Sequence, residues 1–175
     1  MGQLGTEIRD WVISIAVAVA LAMFIRTFVV ELYLVDGPSM MPTLEHQQRL
    51  VVNKFIYKMR APERGEILIF QYPRDKSRDF IKRVIAVPGD TIEIKDHNVY
   101  VNGELQNEDY ILAKSRMDYP KTTIPEGHVF VMGDNRNNSS DSRFANVGPI
   151  KGSHFTGRAL VRIYPFNEIT TLTDK

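Results

Sequence analysis

Ser39 stands in the stretch Gly37-Pro38-Ser39-Met40-Met41-Pro42-Thr43, with a proline on either side of it. Each proline fixes its own φ near about −65° and pushes the residue before it toward extended backbone, which makes a stiff turn. A serine in a Gly/Pro turn is, by itself, an ordinary turn residue. A second stretch gives it a different meaning. Phe80-Ile81-Lys82-Arg83-Val84-Ile85-Ala86-Val87-Pro88-Gly89-Asp90 carries Lys82 in the middle of an otherwise apolar strand. Strand alternation puts Phe80, Lys82, Val84 and Ala86 on one face, and Ile81, Arg83, Ile85 and Val87 on the other. Burial beside apolar neighbours disfavours an ammonium, and a neutral amine next to Ser39 can take its hydroxyl proton as the oxygen attacks a carbonyl. The strand alone leaves a second environment open, an edge lysine that reaches water or pairs with a carboxylate.

A third stretch, Gly133-Asp134-Asn135-Arg136-Asn137-Asn138-Ser139-Ser140-Asp141-Ser142-Arg143, is strongly polar. Such runs are usually solvated loops. The spacing here offers Ser139 as a hydroxyl to orient Lys82, and Asp141 with Arg143 as a charge pair that orders the loop. Asp134 and Asn135 can brace the turn through side-chain to backbone hydrogen bonds. An exposed Asp141 pair would contribute under about 1 kcal/mol.

Other chemistries find little support. The chain has no cysteine, which removes thiol nucleophiles, thiolate metal sites and disulfides. His46, His97, His128 and His154 are scattered, with neither an i, i+4 pair nor an HExxH pattern. A net charge of +1 over 175 residues, mixed in sign along the chain, gives no reason to expect nucleic acid as a partner.

These groups must be positioned by an anchor and a β domain. After a short polar tail (1–10), the run from Trp11 to Val30 is apolar except for Arg26, and its 20 residues make about 30 Å of helix, a bilayer core. A transmembrane helix over 11–30 is the expectation. The rivals are a cleaved signal peptide, for which the n-region is not basic, and a buried soluble helix, for which the run is apolar all round. Nine residues take the chain from Val30 to Ser39, within roughly 30 Å of the membrane. The rest (31–175) reads as short strands. They are 49–54, 66–71, 80–87, 91–95, 98–101 and 104–106 around the hairpin signal Asn102-Gly103, then 128–132 and 157–164. The fold class expected is mainly β, an antiparallel barrel-like domain after the helix, with 91–120 as a small inserted β region.

Taken in order, the apolar run, Ser39-Met40-x-Pro42-Thr43, Lys82-Arg83-Val84 leading to Pro88-Gly89-Asp90, and Gly133-Asp134-Asn135-Arg136 with Asp141-Ser142-Arg143 resemble bacterial type I signal peptidase across nearly the whole chain. The length is similar to that of the small, single-anchor Gram-positive members. The resemblance implies a membrane-anchored Ser-Lys endopeptidase that removes signal peptides from exported preproteins on the extracytoplasmic side of the cell membrane. It implies Ser39 as nucleophile, Lys82 as general base, Ser139 as the hydroxyl that positions the lysine, and Asp141 and Arg143 as support. Preprotein signal peptides and membrane lipid are the partners it implies, and it calls for no metal or organic cofactor. The Ser39 backbone N–H would donate to the oxyanion. Some relatives carry a serine two residues before the nucleophile as second donor; Gly37 stands there in this chain, which leaves that donor open.

Two rivals remain at this level. A self-cleaving Ser-Lys protein similar to the SOS repressors would need no transmembrane start and would bring a DNA-binding part. A silent anchored peptide binder would be expected to have lost Ser39 or Lys82. The small-x-small spacings Ala18-x-Ala20 and Ala20-x-Ala22 raise the further expectation of self-cleavage.

Overall fold

The computed structural model describes residues 2–172. Helix α1, Gly2–Phe28, takes in the polar tail as well as the apolar run. Within it Glu7–Arg26 is a candidate span of 20 residues, with mean hydropathy 2.0 and no burial against the rest of the chain. The expected 11–30 helix therefore ends early. Val29 still donates to the Ile25 carbonyl, but Val30 opens strand β1 (Val30–Leu34) and pairs with Asn53. The cause is local: Val29 and Val30 are β-branched and favour extended backbone once a partner strand is within reach.

The chain continues through β2 (Arg49–Asn53), the short α2 (Ile56–Met59), β3 (Ile67–Tyr72), β4 (Asp75–Ala86), β5 (Thr91–Lys95), β6 (Asn98–Val101), β7 (Glu104–Leu105) and β8 (Tyr119–Thr123). It finishes with β9 (His128–Met132), β10 (Ile150–Lys151), β11 (Phe155–Tyr164) and β12 (Thr170–Thr171). The fold is mainly β. One eight-stranded sheet runs β1-β2-β11-β3-β4-β9-β10 with β12 beside β11, and a second runs β7-β6-β5-β8. Every ladder in both is antiparallel. Asn102 and Gly103 join β6 to β7 with φ of 55° and 83°, the double positive φ that this dipeptide tolerates.

The small sheet lies in sequence between β4 and β9 and shares a core with them. Ile92, Ile94, Val99 and Val101 pack with Ile85, Ala86, Phe130 and Met132. A second cluster, with Leu68, Phe70, Val84 and Val131, lies on one face of the large sheet, and Phe80 packs against it. A third, with Met40, Leu44, Leu50, Val52, Ile67 and Ile69, lies under the turn that holds Ser39. One expectation about β4 fails. Phe80 and Val84 do share a cluster, but Ala86 joins the cluster of the small sheet, because the β4–β9 register shifts between Val84 and Ala86. Such a bulge breaks the two-residue period, which sequence alternation assumes to be unbroken.

Candidate active site

The Ser39 turn is held from two sides. Below it, Met40 and Leu44 are fully buried and Leu44 N–H donates to the Met40 carbonyl at 2.9 Å. Beside it, Asn135 donates its backbone N–H to the Ser39 carbonyl at 3.1 Å and its side-chain amide to the Pro38 carbonyl at 3.2 Å. Gly37 enters the turn at φ 92°, a conformation that L side chains rarely adopt. A serine in that position would therefore be strained, which argues against a side-chain second donor there. The Ser39 N–H itself has no acceptor among the described residues.

Lys82 comes from β4, opposite Leu68, and is only 4% exposed. Its Nζ lies 2.8 Å from Ser39 Oγ and 2.8 Å from the Ile81 carbonyl. The Phe80 ring centroid is 5.2 Å away. Burial brings the amine down to about 8, and the charges of Asp141 and Asp134 offset only part of that effect. A neutral amine has two N–H groups and one lone pair. Spending one N–H on Ile81 leaves the lone pair to accept the Ser39 proton. Of the two environments that the strand left open, the structure has the buried one.

The third motif is not a solvated loop. Asp134, Arg136, Asp141, Ser142 and Arg143 are all buried. Arg143 pairs Asp141 through Nε and Nη2, both at 2.8 Å, and donates Nη2 to the Arg136 carbonyl at 2.6 Å. Asp141 also accepts the Gly133 N–H at 3.0 Å. The surface figure for this pair is thus replaced by the buried case, in which removing one partner costs about 3–5 kcal/mol. Ser139 lies against Gly133, and no hydrogen bond to Lys82 is formed. Its Oγ is buried without a partner among the described residues. A Cβ added at Gly133 would overlap both that hydroxyl and the Ser39 carbonyl oxygen, so Gly133 lies tight against both.

Sequence reasoning passed over several members of this assembly. Arg83 pairs Asp134 in bidentate fashion, Nε at 2.9 Å and Nη2 at 2.7 Å, and Thr43 Oγ1 donates to the same carboxylate. The available signal was Lys82-Arg83 itself. Neighbours on a strand face opposite ways, so a second buried cation needed its own anion. Among the described residues, no three His, Asp or Glu side chains gather as a metal site.

A cleft of about 400 Å³ runs from Ser39 between β1 and β4, lined by Tyr33, Leu34, Val35, Asp36, Met40, Arg78, Asp79, Phe80, Ile81, Lys82 and Ser140. β1 ends the strand order, and β4 pairs with β9 only from Arg83 onward, so each wall offers an unpaired strand edge. Tyr33 spans the walls by donating to Asp79 at 3.0 Å, and burial followed by the Asp79 charge holds its hydroxyl above the ordinary range. An extended peptide in this cleft can pair with main chain on both sides and present a carbonyl to Ser39.

The family model described as signal peptidase, peptidase S26, matches residues 8–164. The chain is 42% identical over 167 residues to a probable signal peptidase I-2 of Synechocystis sp., covering 92% of this chain and 75% of that one. It is 39% identical over 170 residues to a signal peptidase I of Bacillus licheniformis, covering 91% and 90%. A crystal structure of a signal peptidase I from Enterococcus faecalis V583 matches at 33% identity and a TM-score of 0.48, over 57% of this chain and 97% of that one.

Proposed function

The chain belongs to the signal peptidase family, peptidase S26, and from that premise we propose that Ser39 and Lys82 are the catalytic dyad of a membrane-anchored signal peptidase I. Ser39 Oγ attacks the carbonyl at the end of the signal peptide while the Lys82 amine takes its proton. The Ser39 N–H, free of other acceptors, donates to the oxyanion. Lys82 returns the proton to the departing amine of the mature protein. It then takes one from water, which hydrolyses the ester and restores Ser39. Asp141 and Arg143 hold the loop that carries Ser139, whose buried hydroxyl, unbonded to Lys82 in this structure, is the group that would turn to position the lysine. The observation that supports this reading most strongly is the 2.8 Å contact between Ser39 Oγ and a buried Lys82 Nζ.

Residues 11–28 form the anchor and the β domain works on the extracytoplasmic side, where exported preproteins emerge. Lipid contact is part of the proposal. Leu32 and Leu34 of β1 are 63% and 58% exposed, directly after the anchor. Leu34 pairs with Arg49 and Arg49 with Tyr164, whose ring meets the 79%-exposed Phe166 edge-on at 5.6 Å. An apolar patch with an arginine beside it, next to a membrane anchor, suits the interface between headgroups and acyl chains.

The test is cleavage of a preprotein by the detergent-solubilised chain beside Ser39→Ala and Lys82→Ala, with the product's N-terminus sequenced. Cleavage after a small-x-small site by the wild type, with both variants folded and inactive, is the expected result. Equal activity in all three would sink the dyad.

A further inference from the structure

The connector between β7 and β8, residues 106–118, contains no strand, yet it is tied along its length to the polar loop that follows β9. Ala113 bridges to Asn135, Leu112 N–H donates to the Asp134 carbonyl at 3.3 Å, and the Asn137 side chain bonds Lys114 O and Arg116 N at 3.0 and 2.9 Å. More telling is where its side chains go. The Tyr110 ring lies 4.1 Å from the Arg83 guanidinium. Ser115, 1% exposed, accepts Arg143 Nη1 at 2.9 Å. Glu108 Oε1 is 2.7 Å from Arg136 Nη2, an ion pair off the line of a hydrogen bond. Each of the three arginines supplied by the site motifs thus has its own contact from one segment of the inserted small sheet.

We propose that Tyr110 and Ser115 are positioning residues: they hold Arg83 and Arg143 in the bidentate orientation that neutralises Asp134 and Asp141, and so set the environment of the Ser39–Lys82 pair. The inference rests on the dyad reading. A carboxylate occupies only one edge of each guanidinium: Arg83 gives its other edge to the Gly65 carbonyl at 2.9 Å and its face to the Tyr110 ring. Arg143 spends Nε and Nη2 on Asp141, and Ser115 takes the remaining nitrogen. Without Ser115 that nitrogen is a buried donor with no acceptor, and the arginine rotates to find one. Asp141 then stands less neutralised near Lys82. The charged groups around Lys82 are Asp141 with Arg143, Asp134 with Arg83, and the cleft residues Asp79, Arg78 and Asp36. More free negative charge there favours the ammonium, which is the inactive form.

The experiment follows preprotein cleavage by the full chain in detergent across pH for Ser115→Ala, Tyr110→Leu and Tyr110→Phe. For Ser115→Ala and Tyr110→Leu, kcat falls about tenfold, KM stays within about twofold, and the acid limb of the profile moves up by roughly half a pH unit. Tyr110→Phe keeps the ring and retains most of what Tyr110→Leu loses. Ser115→Ala combined with Arg143→Lys is no worse than Arg143→Lys alone, because one residue acts through the other. His97 touches the Ser115 carbonyl from the opposite side, so the profile is repeated in a His97→Gln background. An unmoved acid limb, with losses that track only the folded fraction in a thermal melt, or additive losses in the double variant, would overturn the proposal. If Lys82→Ala leaves the wild-type rate untouched, the dyad reading has failed and this inference falls with it.

Discussion

The Asn135 N–H donates to the Ser39 carbonyl at 3.1 Å, so the turn bearing the proposed nucleophile is tied to a loop that the chain reaches only after the small sheet and strands β1 to β4 and β9 of the large one. The buried pairs Arg83–Asp134 and Arg143–Asp141 in turn hold that loop. The position of the Ser39 hydroxyl therefore depends on packing far from it in sequence.

Gly133→Ala tests that dependence directly. The new methyl overlaps the Ser39 carbonyl oxygen, which is backbone, and the Ser139 side chain down to its Cβ, so the turn itself must shift. Overpacking of this kind costs about 1–3 kcal/mol, and a displacement of even about 1 Å at a reacting centre can cost about a hundredfold in rate. The expected outcome is a protein that still melts cooperatively, with kcat down about a hundredfold or more. Wild-type kinetics would show that the contact is slack.

On the proposed mechanism activity should follow the unprotonated amine of Lys82, rising with pH through about 8 and levelling above it. At two pH units below that midpoint about 1% of the plateau remains, since each unit is a factor of ten. A profile flat from pH 5 to 9 argues against an amine base.

The same group makes a prediction about stability. Its folded pKa lies below the unfolded value of 10.5, at about 8. Between those values the unfolded chain binds the extra proton, so Lys82's contribution to stability rises with pH from about 8 to 10.5 and is constant below. Below the window the buried ammonium costs about 3 kcal/mol. Lys82→Met should therefore raise Tm at pH 7 while abolishing cleavage, and the gain should shrink as the pH approaches 10. A lower Tm at pH 7 would show that the amine is better solvated than its 4% exposure indicates.

Asp134→Ala strips buried Arg83 of its bidentate carboxylate and Thr43 Oγ1 of its acceptor. The expected loss is about 3–5 kcal/mol, or a fall in Tm on the order of 10 °C for a domain of this size. Thermal melts by circular dichroism measure it. A change under about 1 kcal/mol would place the pair among ordinary surface ion pairs.

Leu32→Ser combined with Phe166→Ser removes much of the exposed patch without touching a core cluster or the cleft. Cleavage of a preprotein embedded in anionic vesicles should slow several-fold relative to wild type, while a short water-soluble peptide is cut at the same rate. Equal losses on both substrates would mean that the patch supports the fold and not lipid contact.

Local chemistry made much of this protein readable from its residues. The apolar run, the Asn102-Gly103 hairpin and the alternating strands report on interactions within a few positions. Their short range is why composition and spacing suffice, whereas the three polar motifs became legible through their order and its resemblance to a family. The end of α1 at Phe28, the bulge that turns Ala86 to the other core, and the burial of Asp134, Asp141 and Arg143 all depend on partners distant in the chain. A polar run looks the same in sequence whether water or guanidinium groups satisfy it. Ser39 and Lys82 could be named from sequence as a possible nucleophile and base, but their 2.8 Å separation and the lowered pKa of the amine arise only when the β1–β2 turn, tied to the loop after β9, docks on strand β4 and water is excluded.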